Sequence, residues 1–219
     1  LDYLNAFFFY VFGVSWKTFI IHSSLFNVLI ALASYFLFNE IGLSKKNSLF
    51  YSALISVLFY PIVGTPFVDH HSTFFLIIAF YLFILSVNRK KYSYLFFVPF
   101  LFCLSFLSKQ TPAAYGIIGI LPLIFLLCFH EQKSIKKILF FLTTGSMGAI
   151  FFFIIFIFLT NINITNFIEQ YILFAGSIGE YRISNYDFDL INIIKQYKFL
   201  NFFIIILFII LFLFFLKKK

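Results

Sequence analysis

Three small polar clusters interrupt a chain that is otherwise almost wholly apolar: Asp69-His70-His71, Lys109-Gln110, and Glu180 with Arg182. A carboxylate two residues from an imidazole, here Asp69 and His71, is a donor set for a divalent cation such as Mg or Mn, with water and phosphate oxygens filling the remaining positions. Lys holds phosphate oxygens as a point charge, and Arg grips them with two parallel N–H groups. Cation and metal together stabilise the negative charge that builds up on a departing phosphate. Ionisable groups next to hydrocarbon are costly to keep there, which makes each of them a functional candidate by default.

Each candidate also has a structural alternative. In an extended backbone Asp69 and His71 point the same way and could share one ion; in a helix start, Asp69 or Ser72 would be a cap, with His70 and His71 at headgroup level. Lys109 sits in Ser108-Lys109-Gln110-Thr111-Pro112, the whole connection between two apolar runs. It either snorkels or contacts a phosphate. Arg182 either grips phosphate, with Gln110 and Lys109, or pairs with its neighbour Glu180. His22 and His130 read as structural.

The elements that must position these residues are membrane spans. Of 219 residues, 63% are hydrophobic and 11% charged, and the mean hydropathy is +1.04, which excludes a soluble globular domain. The 39 Phe residues read as lipid-facing and packing side chains. Cys103 and Cys128 lie inside apolar runs and do not suggest a disulfide framework. Runs able to cross about 30 Å of hydrocarbon occur near Thr18 to Phe38, Leu49 to Pro66, Thr73 to Val87, Tyr92 to Leu107, Pro112 to Phe129, Ile138 to Thr160 and Leu200 to Leu216. The expectation is an all-α polytopic membrane protein with a single membrane domain over 1–219. It comprises an interfacial segment at 1–17, a six-span bundle at 18–160, a loop at 161–199, a seventh span at 200–216 and a short tail at 217–219.

Positive charge orients the spans. Lys45, Lys46, Arg89, Lys90, Lys91, Lys133, Lys136, Lys137 and the Lys217 to Lys219 run fall in alternate gaps and hold eleven of the 16 basic residues. That side is therefore cytoplasmic. Asp2, Asp69, Glu169, Glu180, Asp187 and Asp189 fall on the other side, with Lys17, Lys109 and Arg182. All the chemical candidates thus converge on the extracytoplasmic face. The net charge of +8 reports topology, and the basic clusters are too short for a nucleic-acid groove. Within 161–199, Phe167 to Ala175 has the pattern of an amphipathic interfacial helix.

With this topology the chain resembles the multi-spanning C-type glycosyltransferases, which take a sugar from a polyprenyl-phosphate carrier. Asp69-His70-His71 is similar to the Asp-x-Asp or Asp-x-His motif of oligosaccharyltransferase catalytic subunits. Phe106 to Thr111 resembles the Leu-Thr-Lys-Gly or Lys-Gln motif of bacterial sugar and aminoarabinose transferases, and Tyr10-Val11-Phe12-Gly13 before Trp16 resembles the end of their first outer loop. The likeness extends over about Leu1 to Ile124. It implies inverting glycosyl transfer to a glycan, lipid or protein acceptor at a bacterial inner membrane. Asp69 and His71 would serve in metal binding or substrate positioning, a carboxylate would take the acceptor proton, and Lys109 and Arg182 would hold the carrier phosphate. The acid expected in the family's first outer loop would precede Leu1, since Asp2 is the only acid nearby; the expectation is an amino-terminally truncated copy.

Two other families share parts of this pattern. Protein acyltransferases with an Asp-His-His-Cys motif need the Cys that Ser72 replaces, a cysteine-rich zinc module and a cytosolic site. A lipid-linked sugar flippase or secondary transporter would place polar groups and broken helices near the bilayer midplane, whereas here they lie at one edge.

Overall fold

A computed structural model describes residues 2–61, 68–178, 190–196, 198, 201–202 and 205–206. It divides into two compact units, Leu1–Phe156 and Ile157–Lys219. Among the described residues the chain is predominantly helical, with no strand.

In the first unit, α1 (Asp2–Phe12) is an 11-residue helix, about 16 Å long and too short to cross a bilayer. Gly13 takes φ +78°, a left-handed conformation open to glycine at little cost. The chain turns there into α2 (Trp16–Glu40). Ser15 caps α2 by accepting from the Thr18 amide at 3.3 Å, while Thr18 Oγ1 donates to the Gly13 carbonyl at 2.6 Å. The α2 carboxyl end closes on Gly42, φ +97°. The Leu43 amide donates to Phe38 O and the Gly42 amide to Asn39 O, a Schellman closure that sends α3 (Lys45–Phe59) back along α2.

The second expected span, Leu49 to Pro66, is corrected by α3. The helix stops at Phe59, with Tyr60 extended before Pro61, a residue that disfavours helix at the position preceding it. At 15 residues, α3 is about 22 Å long, short of the hydrocarbon thickness. The rest of that expected span lies outside the described residues.

α4 (Val68–Asn88) runs parallel to α2, since His22, Ser34 and Glu40 of α2 meet His71, Tyr81 and Arg89 in the same order. It ends in a second Schellman closure, with Lys90 at φ 51° and the Lys91 amide on Ser86 O. A 3₁₀ turn at Tyr92–Phe96 leads into α5 (Phe97–Ser108). Lys109, φ −159° and ψ 133°, is the single extended residue between α5 and α6 (Gln110–His130). α7 (Ile135–Thr160) follows. Four described helical stretches are long and apolar enough to cross a membrane: Trp16–Glu40, Val68–Asn88, Gln110–His130 and Gln132–Thr160. The expected seventh span, 200–216, lies almost wholly outside the described residues.

The core joins α4, α5, α6 and α7 through Ala79, Phe83, Leu95, Val98, Ile120 and Ile138. At Gly145 the α7 backbone comes so near the Phe96 carbonyl that a β-carbon would have no room. Small residues permit this kind of close approach between membrane helices.

α2 and α4 are tied by polar rungs along their length. Ser34 Oγ and Tyr81 Oη lie 2.7 Å apart in the middle. At one end Arg89 forms a two-pronged pair with Glu40, both contacts 2.7 Å, and Asn88 donates to the Glu40 carbonyl at 3.1 Å. Hydrogen bonding to Glu40, then to Tyr94, raises the already high pKa of the Arg89 guanidinium. Lys90 meets Glu131 at 3.8 Å at this same end, where the basic gaps of the sequence gather.

In the second unit, Asn163 Oδ1 accepts from the amides of Thr165 and Asn166. This starts a helical turn at Ile164–Phe167 that continues as a π-helix over Ile168–Leu173. Ile164, Ile168 and Ile172 recur every four residues and are exposed.

Candidate functional site

The other end of the first unit gathers the amino ends of α2, α4 and α6 with the carboxyl end of α5. Asp69 lies in the first turn of α4, where a carboxylate is favoured by the helix dipole. Lys109 Nζ donates to Asp69 Oδ2 at 2.7 Å, across 40 residues of sequence. The pair is open to the surroundings, with 36% of the Lys109 side chain and 56% of the Asp69 side chain exposed. Gln110 opens α6, whose amino end has no side-chain cap. The amino end of a helix carries the positive end of its dipole, and here it adjoins a lysine ammonium.

The histidines behave differently. α4 begins at Val68, so Asp69 and His71 are two apart on a helix, about 200° around its axis. The expectation that they point the same way assumed extended backbone, and the helix corrects it. His71 is fully buried and its Nε2 lies 2.8 Å from His22 Nε2. A nitrogen–nitrogen hydrogen bond needs one N–H and one lone pair, so at least one of these rings is neutral. Phe8 of α1 stacks on His22 with centroids 4.0 Å apart, and Phe26 meets His71 edge-on at 4.5 Å. His70 is buried as well, with Nε2 3.4 Å from Asn27 Oδ1 and its ring against Phe59.

His22 is therefore a partner of His71 that the sequence reading missed, along with Asn27, Ser72 and Ser105. A signal for it existed: His22, Ser23, Asn27 and Ser34 share one face of α2 at helical spacing and are all buried. Polar residues recurring on one side of a membrane helix mark contact with another helix.

Among the described residues Asp69 and His71 do not form a shared donor pair. Asp69 is engaged by Lys109, His71 faces His22, and among the described residues no group of three or more His, Cys, Asp and Glu side chains comes together. Glu180 and Arg182 lie outside the described residues.

The arrangement offers a cation and a carboxylate in contact, exposed, at the mouth of an uncapped helix. It can hold an anionic group and accept a proton beside it. Residues 1–158 match the family described as dolichyl-phosphate-mannose-protein mannosyltransferase. No curated protein and no solved structure matches the chain.

Proposed function

The chain belongs to the dolichyl-phosphate-mannose-protein mannosyltransferase family, a family of membrane glycosyltransferases, and from that premise we propose that it transfers a sugar from a polyprenyl-phosphate carrier to an acceptor hydroxyl at the extracytoplasmic edge of the bilayer. The contact between Asp69 and Lys109 carries the reading. Two groups 40 residues apart meet at the end of the bundle where the basic gaps are absent, and both remain accessible.

In this proposal Lys109, at the amino end of α6 with Gln110 beside it, holds the phosphate of the carrier. The acceptor oxygen attacks the anomeric carbon, the bond from that carbon to the phosphate oxygen breaks, and the carrier phosphate leaves with the electron pair. Asp69 receives the acceptor proton. An ammonium has three N–H donors, so Lys109 can keep one on Asp69 while others face phosphate. That geometry stabilises the leaving charge and orients the base together. Attack opposite the leaving group inverts the anomeric centre. No step is routed through a metal.

The test is transfer of radiolabelled mannose from a polyprenyl-phosphate donor by the purified protein in lipid. Asp69→Asn keeps the shape and removes the base, and is expected to lower turnover by at least about 10²-fold, the usual contribution of general-base catalysis. Turnover within a few-fold of the unaltered protein would exclude Asp69 from the reaction.

A further inference from the structure

One helical turn in from the Asp69–Lys109 contact, α4 and α5 are joined by two hydroxyls, Ser72 and Ser105, both fully buried. Ser105 Oγ donates to the Ser72 carbonyl at 2.8 Å. Ser72 Oγ lies 2.9 Å from Ser105 Oγ and 3.1 Å from the Lys109 carbonyl. Two hydroxyl protons serve three contacts. With the Ser105 proton on the Ser72 carbonyl, the Ser72 proton goes either to Ser105 Oγ or to the Lys109 carbonyl.

The second choice reaches the one extended residue between α5 and α6. The Lys109 amide donates to the Ser105 carbonyl at 2.9 Å. The peptide groups on both sides of Lys109 are thus anchored to the serine pair, one through the Ser105 backbone and one through the Ser72 hydroxyl. A lysine side chain is a flexible four-carbon stem, so its backbone is what the fold can fix.

We infer that Ser72 and Ser105 are positioning residues for Lys109, a two-hydroxyl clamp that sets the place from which its ammonium reaches Asp69 and the carrier phosphate. This rests on the phosphate role of Lys109 given above. If the serines served only as small residues that let α4 and α5 pack closely, their hydroxyls would be dispensable, and alanine would do as well.

Binding of radiolabelled undecaprenyl phosphate to the full chain in lipid nanodiscs, read beside the thermal unfolding temperature, separates these roles. The Ser72→Ala/Ser105→Ala double variant is expected to bind about fivefold more weakly at a temperature where it remains folded, its unfolding temperature lowered only modestly by the lost buried hydroxyls. Unchanged affinity in that variant, with or without lowered stability, overturns the clamp. Lys109→Ala is the control for the underlying reading: if it binds the lipid phosphate normally, Lys109 is not the phosphate ligand. Weak binding by Lys109→Ala together with normal binding by the serine variant rejects the clamp alone.

Discussion

An ion pair as exposed as Asp69–Lys109 contributes only about 0–1 kcal/mol to stability, so the fold gains little by keeping it. The buried His22–His71 contact is the reverse case, since removing one ring leaves the other nitrogen without its partner inside the bundle. His71→Leu is expected to cost about 1–3 kcal/mol, the penalty for stranding a buried polar group. His22→Leu/His71→Leu, which removes both partners, should cost less than either single change. Thermal unfolding in detergent reads this directly, and a double variant less stable than both singles would contradict a simple pair. Asp69 and Lys109 could be placed at one edge from the sequence because alternate gaps between apolar runs fall on alternate sides. The polar face of α2 that carries His22 marks a helix contact in the sequence, but its partner is 49 residues away, and nothing in the apolar runs says which helix that face meets. Spacing alone left Asp69 and His71 either sharing one direction in extended chain or parting at a helix start, and the start of α4 at Val68 sets them apart.

At the scale of elements, hydropathy located most of the helices, while their ends followed from capping chemistry that hydropathy does not see. α3 stops at Phe59 before Tyr60-Pro61, and the Tyr92 to Leu107 run divides into a 3₁₀ turn and α5. The contact between α7 and the Phe96 carbonyl was also hidden, because glycines in an apolar run do not say which backbone they approach. It gives a paired prediction. Gly145→Ala puts a methyl against backbone that cannot step aside, whereas at Gly148 the nearest atom is the end of the Phe96 ring, 3.5 Å from a β-carbon. Gly145→Ala should lose about 1–3 kcal/mol, as overpacking does, and Gly148→Ala should be near neutral. Equal unfolding temperatures for the two variants would show that α7 does not pack as described.

Across the whole first unit, the parallel helices α2 and α4 are pinned at His22–His71, Ser34–Tyr81 and Glu40–Arg89. From His22 to Glu40 is about 27 Å along a helix, close to the thickness of a bilayer core. With α2 and α4 locked at both ends, and α5 and α6 tied to α4 by the serines, Asp69 and Lys109 are held by packed helices. Preorganisation of that kind keeps a base and a cation in place through a reaction. The central claim is that these two residues act as one site. Its most direct test is a double-mutant cycle on kcat/KM for mannose transfer from polyprenyl phosphate, with Asp69→Ala, Lys109→Ala and both together. Each single change should lower kcat/KM by about 10²-fold or more, and the double should fall little below the worse single, because residues that act as a unit are strongly non-additive. Near-normal kcat/KM in either single variant, or losses that multiply in the double, would contradict a shared site.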